Sequence, residues 1–311
     1  MKDKAKTVKR IVLDLLLCAF IMTFLTSAYE LYVWAGENME SDRILEELSS
    51  EINGGEEPKV IIVPVENTSS EQNDSSETGS GEEGETSSEA ASKPTTYEIV
   101  YQTLYKDFDG LLARNKDTRG WIKVAGLPKL DYPFVQGKND TYYLAHDFDK
   151  NKSSAGWVYC DNDVNFKKWN PNNMFYGHSR KNGTMFGSLH NCFLKSWYGK
   201  TSNHYVFLTT LDDELVFQIV SVYHTTIHSN YANQFFKYRE AYADYLETII
   251  SRNEIPTIDY GVSPDDLLIT LTTCNGGVGT PDRVALHAKL VYSKNDPTLA
   301  RYRINLPSEN D

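Results

Sequence analysis

A cysteine at the end of an apolar run is the residue of this chain best suited to chemistry. Leu267–Thr273 is apolar or β-branched and precedes Cys274, and Gly276 and Gly277 follow closely. Such a pattern is typical of a short buried strand that ends in a loop. A cysteine at this junction places its Sγ at the edge of the sheet, where a thiolate can attack a substrate. The alternative for a lone cysteine is a small buried hydrophobic side chain.

A histidine and an arginine lie at comparable junctions. Arg283 begins a second strand-like run, and His178 follows the segment Asn173–Gly177. An imidazole can accept the proton of a thiol, and a guanidinium can donate hydrogen bonds to an oxyanion. Cys274, His178 and Arg283 are therefore a candidate nucleophile, base and oxyanion-stabilising group. Taken alone, His178 is also explained as a surface histidine, and Arg283 as an exposed charge at the start of a strand.

Three motifs resemble the signature of the sortases, cysteine transpeptidases of Gram-positive cell surfaces. In chain order they are Tyr-Gly-His178, Thr-Leu-Thr-Thr-Cys274 and Arg283-Val-Ala-Leu-His-Ala-Lys-Leu. The resemblance covers residues 97–292, and the segments that start at Gly120 and Tyr132 are similar to class B members. It implies that Cys274, His178 and Arg283 are catalytic. The backbone amides after Cys274 are expected to complete the oxyanion hole.

The same resemblance assigns further residues to a groove for a sorting peptide. They are Leu144, Tyr176, Tyr231, Thr272 and Thr273. Two departures from the family pattern leave the peptide motif open. Asp140 stands where an asparagine is usual, and Asn275 stands where an acidic residue can occur.

The remaining elements predict a mainly β fold with helices. Thr95–Glu98 fits a capping box before apolar residues at helical spacing as far as Leu112, which predicts an N-terminal helix. Seven or eight short strand-like runs with turn-rich links follow, typical of a closed barrel or a sandwich. A helix is predicted over Tyr231–Arg252 as a cover for one barrel face. With the resemblance, the expected fold is a closed sortase-type β-barrel with an N-terminal helix and a long helix before the cysteine strand.

The chain begins with a membrane signal. Five lysines and arginines in residues 1–10 precede the apolar run Ile11–Trp34, and Leu15–Tyr29 carries no charge. With its flanks the run is long enough to cross a bilayer core of about 30 Å. The basic flank predicts a cytoplasmic tail (1–10), a single-pass signal anchor (11–34) and a remainder on the outer face of the cell membrane. The alternative is a signal peptide cleaved after Ala28.

An acidic segment follows the anchor. Eleven acidic residues and one lysine lie between Glu51 and Ala91, in a chain of 311 residues with a net charge of −12. The Ser, Glu, Thr and Gly composition predicts a disordered linker within residues 35–93, in which Val60–Val65 pairs weakly or not at all. The catalytic domain is expected to span residues 94–311, and a chain that starts near Lys93 is expected to be as stable as the whole ectodomain.

Composition and the resemblance together define the expected partners. Acidity argues against nucleic acid as a partner. The four cysteines form no C-x-x-C pair and His190 and Cys192 have no third ligand nearby, so no metal site and no cofactor are expected. His287 is expected to point outward. The resemblance implies surface proteins with a C-terminal sorting motif as substrates, and an amine of a peptidoglycan precursor or a pilin lysine as acceptor.

The expected reaction is transpeptidation through a thioacyl enzyme. Cys274 attacks the carbonyl of a Thr-x bond, the C-terminal part leaves, and an amine takes the acyl group. Two alternatives stay open. One is a cysteine endopeptidase that uses the same residues with water as acceptor, and the other is a membrane-tethered binding module without chemistry.

Overall fold

An eight-stranded barrel forms the centre of the molecule. The computed structural model describes residues 2–53, 60–65, 96–101, 108–274 and 280–310. The helices are α1 (Lys2–Asn53), α2 (Asp109–Arg114), α3 (Lys195–Tyr198) and α4 (Arg239–Ser251). The strands are β1 (Val60–Val65), β2 (Thr96–Tyr101), β3 (Thr118–Val124), β4 (Asp131–Val135), β5 (Tyr159–Cys160), β6 (Asn172–Tyr176), β7 (Tyr205–Thr210), β8 (Glu214–Thr226), β9 (Leu268–Cys274) and β10 (Asp282–Ser293).

The barrel closes in the order β10-β8-β7-β3-β4-β5-β6-β9. Its neighbours are antiparallel except for β4 with β5 and β6 with β9, which run parallel. Closure leaves no free sheet edge. The expected barrel with a helix before the cysteine strand is therefore confirmed, and β9 lies between β6 and β10, the strands that adjoin the other two candidate catalytic residues.

Two predicted helices are shorter than expected. Thr96–Tyr101 forms strand β2 rather than the first turns of the N-terminal helix, which begins at Asp109. Its β-branched and aromatic residues favour extended backbone. The helix expected over Tyr231–Arg252 is a 3₁₀ turn at Asn230–Ala232 followed by α4. The side chains that α4 buries are Tyr242, Tyr245, Leu246 and Ile249, which recur at the three- and four-residue steps of one helix face.

His287 corrects one expectation. It lies on the outer face of the barrel but is fully buried under α4, beside Tyr245 at 6.3 Å between ring centroids. Nδ1 contacts Thr270 Oγ1 at 2.8 Å and Nε2 contacts Tyr223 OH at 3.0 Å. Burial lowers the pKa of His287 to about 3, so the ring is neutral. The alternation of side chains along β10 correctly predicts that His287 points outward. It does not predict that α4 covers this residue.

Residues before the acidic segment pack on the barrel. Helix α1 continues past the apolar run, and Ile44 and Leu48 on it are fully buried in the same core as the barrel. Arg180 Nε donates to Asn38 Oδ1 at 3.1 Å. Residues 54–59 and 66–93 of the predicted linker lie outside the described residues, and β1 within it pairs antiparallel with β2.

We expect Leu48→Ala to destabilise the folded chain. Removing a fully buried leucine leaves a cavity and costs about 2–5 kcal/mol of the free energy of unfolding. Glu46→Ala, at a nearby exposed site on the same helix, is the control and should change it by less than about 0.5 kcal/mol. Denaturant unfolding of both variants makes the comparison. Equal stabilities would show that Leu48 adds nothing to the stability of the fold, in line with the prediction that a chain starting near Lys93 is as stable as the whole ectodomain.

Candidate active site

Three neighbouring strands bring the candidate catalytic residues to one edge of the barrel. In the parallel ladder of β6 and β9, Tyr176 pairs with Thr272, so His178 and Cys274 each follow two residues later. Arg283 pairs directly with Cys274 across β9 and β10. Adjacent strands lie about 4.8 Å apart. The nucleophile candidate thus stands between the histidine and the arginine.

Cys274 differs from the other cysteines in its surroundings. It is half-buried at the end of β9, whereas Cys160 and Cys192 are buried in the core and Cys18 is exposed on α1. Burial raises the pKa of the Cys160 and Cys192 thiols well above its usual range, which keeps them protonated and inert. Of the four thiols, Cys274 alone combines solvent access with the histidine and arginine of this edge.

His178 is held in one tautomer by a backbone carbonyl. Its Nε2 lies 2.7 Å from the carbonyl oxygen of Leu144, which can only accept a hydrogen bond. Nε2 therefore carries a hydrogen. The carbonyl of Leu144 thus orients the His178 ring, with Nδ1 on the side of the ring away from that contact.

The backbone at Gly156 leaves room for that arrangement. Gly156 has a φ of +58°, and a Cβ there would lie 2.9 Å from His178 Cδ2 and 2.5 Å from the Tyr143 carbonyl oxygen. Only glycine combines this left-handed backbone with such close approach. The loop of Leu144 therefore packs directly against the imidazole.

We expect Gly156→Ala to lower kcat/KM for peptide cleavage by about tenfold or more, because the methyl group displaces His178. The left-handed backbone adds about 1–2 kcal/mol of strain. Gly261→Ala is the control, because a Cβ there meets no atom within 4 Å. Steady-state kinetics of the two variants decide the matter. A Gly156→Ala enzyme with wild-type kcat/KM would mean that the loop does not constrain His178.

Arg283 is half-buried and donates to the backbone in this structure. Nη1 donates to the carbonyl oxygens of Thr280 and Asp282, each at 2.8 Å. No carboxylate forms an ion pair with Arg283 among residues 108–274 and 280–310. Its backbone pairs with that of Cys274 on the neighbouring strand. The loop 275–279, which carries the expected oxyanion amides, lies outside the described residues.

Two of the expected groove residues form an aromatic and hydroxyl wall with Thr272. Tyr231 is buried, and its OH lies 3.4 Å from Thr272 Oγ1, which donates its hydrogen to the Val284 carbonyl at 3.0 Å. Tyr176 stacks on Tyr159 at 5.1 Å between ring centroids and donates to Asp161 Oδ2 at 2.9 Å. These side chains flank the strand that ends at Cys274.

The other two expected groove residues differ in their exposure. Leu144 is 38% exposed, so it is accessible to solvent. Thr273 is buried on the opposite face of β9 from Cys274, and its Oγ1 donates to the Gly177 carbonyl at 2.8 Å. That bond ties the cysteine strand to the residue before His178. Its contact to the backbone makes Thr273 a support of the site rather than a wall of the groove in this structure.

Asp140 and Asp161 add charge beside the wall. Asp161 accepts from Tyr176, and Asp140 Oδ1 accepts from the backbone N–H of Asn162 at 2.8 Å. Burial, with the nearby charge of Asp161, raises the pKa of Asp140. Burial and both aspartates also raise the pKa of Tyr159, so its phenol stays protonated. The sequence did not predict Asp161 and Tyr159 as neighbours of the site, because their contacts with Tyr176 form only when strands β5 and β6 pair.

His190 is the other neighbour that sequence reasoning missed. The sequence predicts a structural or solvated histidine there and no metal ligand, yet its Nε2 lies 3.3 Å from the carbonyl oxygen of Cys274. The two residues are 84 positions apart, so no local pattern could pair them. Among the described residues, no cluster of three or more His, Cys, Asp or Glu side chains is arranged to hold a metal ion.

Comparisons with known proteins relate this chain to one family. A sortase domain model matches residues 124–291, which is more than half of the chain. Sortase B of Staphylococcus aureus is 31% identical over 185 residues, covering 59% of this chain and 74% of that protein. The solved Staphylococcus aureus sortase B–substrate complex superposes with a TM-score of 0.55 at 30% identity, covering 59% of this chain and 84% of that one. A crystal structure of sortase B complexed with triglycine gives a TM-score of 0.55 at 30% identity, covering 59% and 85%.

Proposed function

Because the chain belongs to class B of the sortases, a family of cysteine transpeptidases, we propose that it cleaves C-terminal sorting signals of secreted proteins and joins them to a surface amine. One observation carries the proposal: β9 places Cys274 between His178 and Arg283. A nucleophile, a base and an oxyanion donor on three adjacent strands are what acyl transfer requires.

The first half-reaction forms a thioacyl enzyme. His178 Nδ1 accepts the proton of the Cys274 thiol, and Sγ attacks the carbonyl carbon of a Thr-x bond. The carbonyl oxygen becomes an oxyanion as the new C–S bond forms. When the C–N bond breaks, the imidazolium returns its proton to the leaving amine. A thioester on Cys274 and a released C-terminal fragment result.

The second half-reaction transfers the acyl group to an amine. The incoming amine loses a proton to His178 as its nitrogen attacks the thioester. The C–S bond then breaks, and the imidazolium returns that proton to the Cys274 thiolate, which restores the starting thiol. Triglycine, bound in the structure of a related sortase B, is an amine of the class required. A peptidoglycan precursor is the acceptor that we propose, with a pilin lysine as the other candidate.

Arg283 is proposed to stabilise the oxyanion or to hold a substrate carbonyl. Its guanidinium stays charged, and its planar fork offers several donors. The two carbonyl contacts at Thr280 and Asp282 orient its Nη1, on the residue paired with Cys274. In both half-reactions negative charge develops beside Sγ, within reach of a side chain on the adjacent strand.

The peptide is proposed to bind along the outer face of β9. Tyr231, Thr272 and Tyr176 line that face, and the exposed side chain of Leu144 lies on the His178 side. The related complex named for its substrate supports a peptide groove in the family. Thr273, which bonds to Gly177, contributes by holding the groove floor.

The enzyme is proposed to be anchored in the cell membrane by α1. One helix among the described residues is long and apolar enough to span a bilayer. Its apolar side chains face outward, among them Leu13, Leu16 and Phe20, and they are exposed. The basic residues that precede them favour a cytoplasmic N-terminus, with the barrel on the outer face.

A peptide library centred on a Thr-x bond tests the proposal. The full chain in detergent is incubated with the library, with and without triglycine, and products are identified by mass spectrometry. Fragments joined to triglycine at the threonine carbonyl support transpeptidation. Cleavage with water as the sole acceptor, even with triglycine present, would make the chain a cysteine endopeptidase. Binding without cleavage would make it a binding module.

A further inference from the structure

A second histidine links the two sides of the active site. His190 lies on the 3₁₀ turn Gly187–Phe193 and is half-buried. Its Nε2 lies 3.3 Å from the Cys274 carbonyl oxygen and 3.0 Å from Ser179 Oγ. Ser179 directly follows His178. Nε2 of His190 therefore contacts both Cys274, the proposed nucleophile, and Ser179, the residue next to the proposed base His178.

The chemistry of these contacts determines which ring nitrogen of His190 carries a hydrogen. A carbonyl oxygen only accepts, so the contact with Cys274 places a hydrogen on Nε2 of His190. The Ser179 hydroxyl oxygen can accept from the same N–H. Burial, with His224 nearby, lowers the pKa of His190, which favours the neutral ring. A neutral imidazole with its hydrogen on Nε2 satisfies both neighbours.

The turn that carries His190 is itself fixed to the loop of His178. The Phe186 N–H donates to the His178 carbonyl oxygen at 3.0 Å. A Cβ on Gly187 would lie 2.3 Å from the Arg180 carbonyl oxygen, so the two backbones are in close contact. Leu189 and Cys192 anchor the turn in the core. His190 thus reaches Cys274 from a rigid support.

We propose that His190 is a positioning residue that sets the separation of Cys274 and His178 by donating Nε2–H to the Cys274 carbonyl and Ser179. The proposal rests on the proposed function, because it concerns the geometry of the same thiol and imidazole. His190 touches neither reacting atom and acts through the backbone of Cys274. Small displacements of reacting groups cost large factors in rate, about 10²-fold for 1 Å.

A matched pair of variants tests the donor. His190→Gln keeps an N–H near the position of Nε2, whereas His190→Met has similar size and no donor. Two rates are measured for the full chain, kcat/KM for peptide cleavage and the rate constant for iodoacetamide labelling mapped to Cys274 by peptide mass spectrometry. We expect the methionine variant to lose about ten- to hundredfold in both rates. The glutamine variant should stay within about threefold of wild type, with melting temperatures alike.

A second arm leaves His190 in place. Ser179→Ala removes one of the two contacts and should slow labelling of Cys274 about three- to tenfold without lowering the melting temperature. Equal rates for the glutamine and methionine variants would overturn the inference, as would a Ser179→Ala enzyme labelled at the wild-type rate. Slow labelling of wild-type Cys274 together with no cleavage would instead refute the proposed function itself.

Discussion

Cys274→Ala is expected to abolish peptide cleavage and amine transfer. The substitution removes Sγ, the atom that forms the thioester, and no other described thiol stands beside both His178 and Arg283. Loss of the nucleophile in another triad enzyme lowers kcat by about 10⁶-fold. The fold should persist, because Cys274 is half-buried at a strand end and the change removes a single atom. Cleavage is measured by chromatography of a Thr-x peptide, and folding by thermal melting.

The matched control is Cys18→Ala, which removes an exposed thiol from α1 and should leave activity unchanged. Detectable turnover by folded Cys274→Ala, with Cys160 and Cys192 intact, would contradict the nucleophile assignment. Loss of activity in the control would instead point to a general effect of cysteine removal.

Arg283→Ala is expected to lower kcat/KM by about 10²–10³, roughly 3–4 kcal/mol of transition-state stabilisation, as for loss of one oxyanion donor. Arg283→Lys keeps the charge but loses the planar fork that can donate two parallel hydrogen bonds, so it should also lose much of the activity. A structural arginine at a strand start would cost about 0.5 kcal/mol of stability or less and leave the rate nearly unchanged.

Arg303→Ala is the matched control, because Arg303 is exposed and pairs with Asp265 away from the site. Steady-state kinetics of the Arg283 and Arg303 variants, each checked for folding, make the comparison. An Arg283→Ala enzyme that keeps more than about a tenth of wild-type kcat/KM, well short of the donor-loss range, would remove Arg283 from the catalytic group.

The local signal of short apolar runs between turns predicted a closed barrel or a sandwich, and the resemblance to the sortases favoured the barrel that the structure shows. The sequence predicted the helix start poorly, since Thr96–Tyr101 has both a capping box and β-forming residues, and strand pairing with β1 decides between them. It also missed the docking of Ile44 and Leu48 on the barrel. Composition predicts the acidic character of the segment that follows α1. It carries no information on which α1 side chains contact the barrel.

The residues of the candidate site that lie in local motifs could be predicted from the sequence. His178, Cys274 and Arg283 lie in local motifs at strand ends, and the ladder β6-β9-β10 brings them together. His190 and Asp161 have no such motifs. The contact of His190 with Cys274 joins residues 84 positions apart, and that of Asp161 with Tyr176 depends on the pairing of β5 with β6. The resemblance assigns both Thr272 and Thr273 to the groove. Adjacent residues of a strand point to opposite faces, so Thr273 lies on the face of β9 away from Cys274.

The thioacyl intermediate offers the most direct measurement of the central claim. The full chain is mixed with a cleavable Thr-x peptide without acceptor amine, quenched in acid, and analysed by intact and peptide mass spectrometry. We predict a mass increase equal to the N-terminal acyl fragment, mapped to Cys274, and its loss when triglycine is added, with the ligated peptide as product. Peptide cleavage with no adduct on Cys274, or with an adduct that triglycine does not release as ligated product, would contradict it.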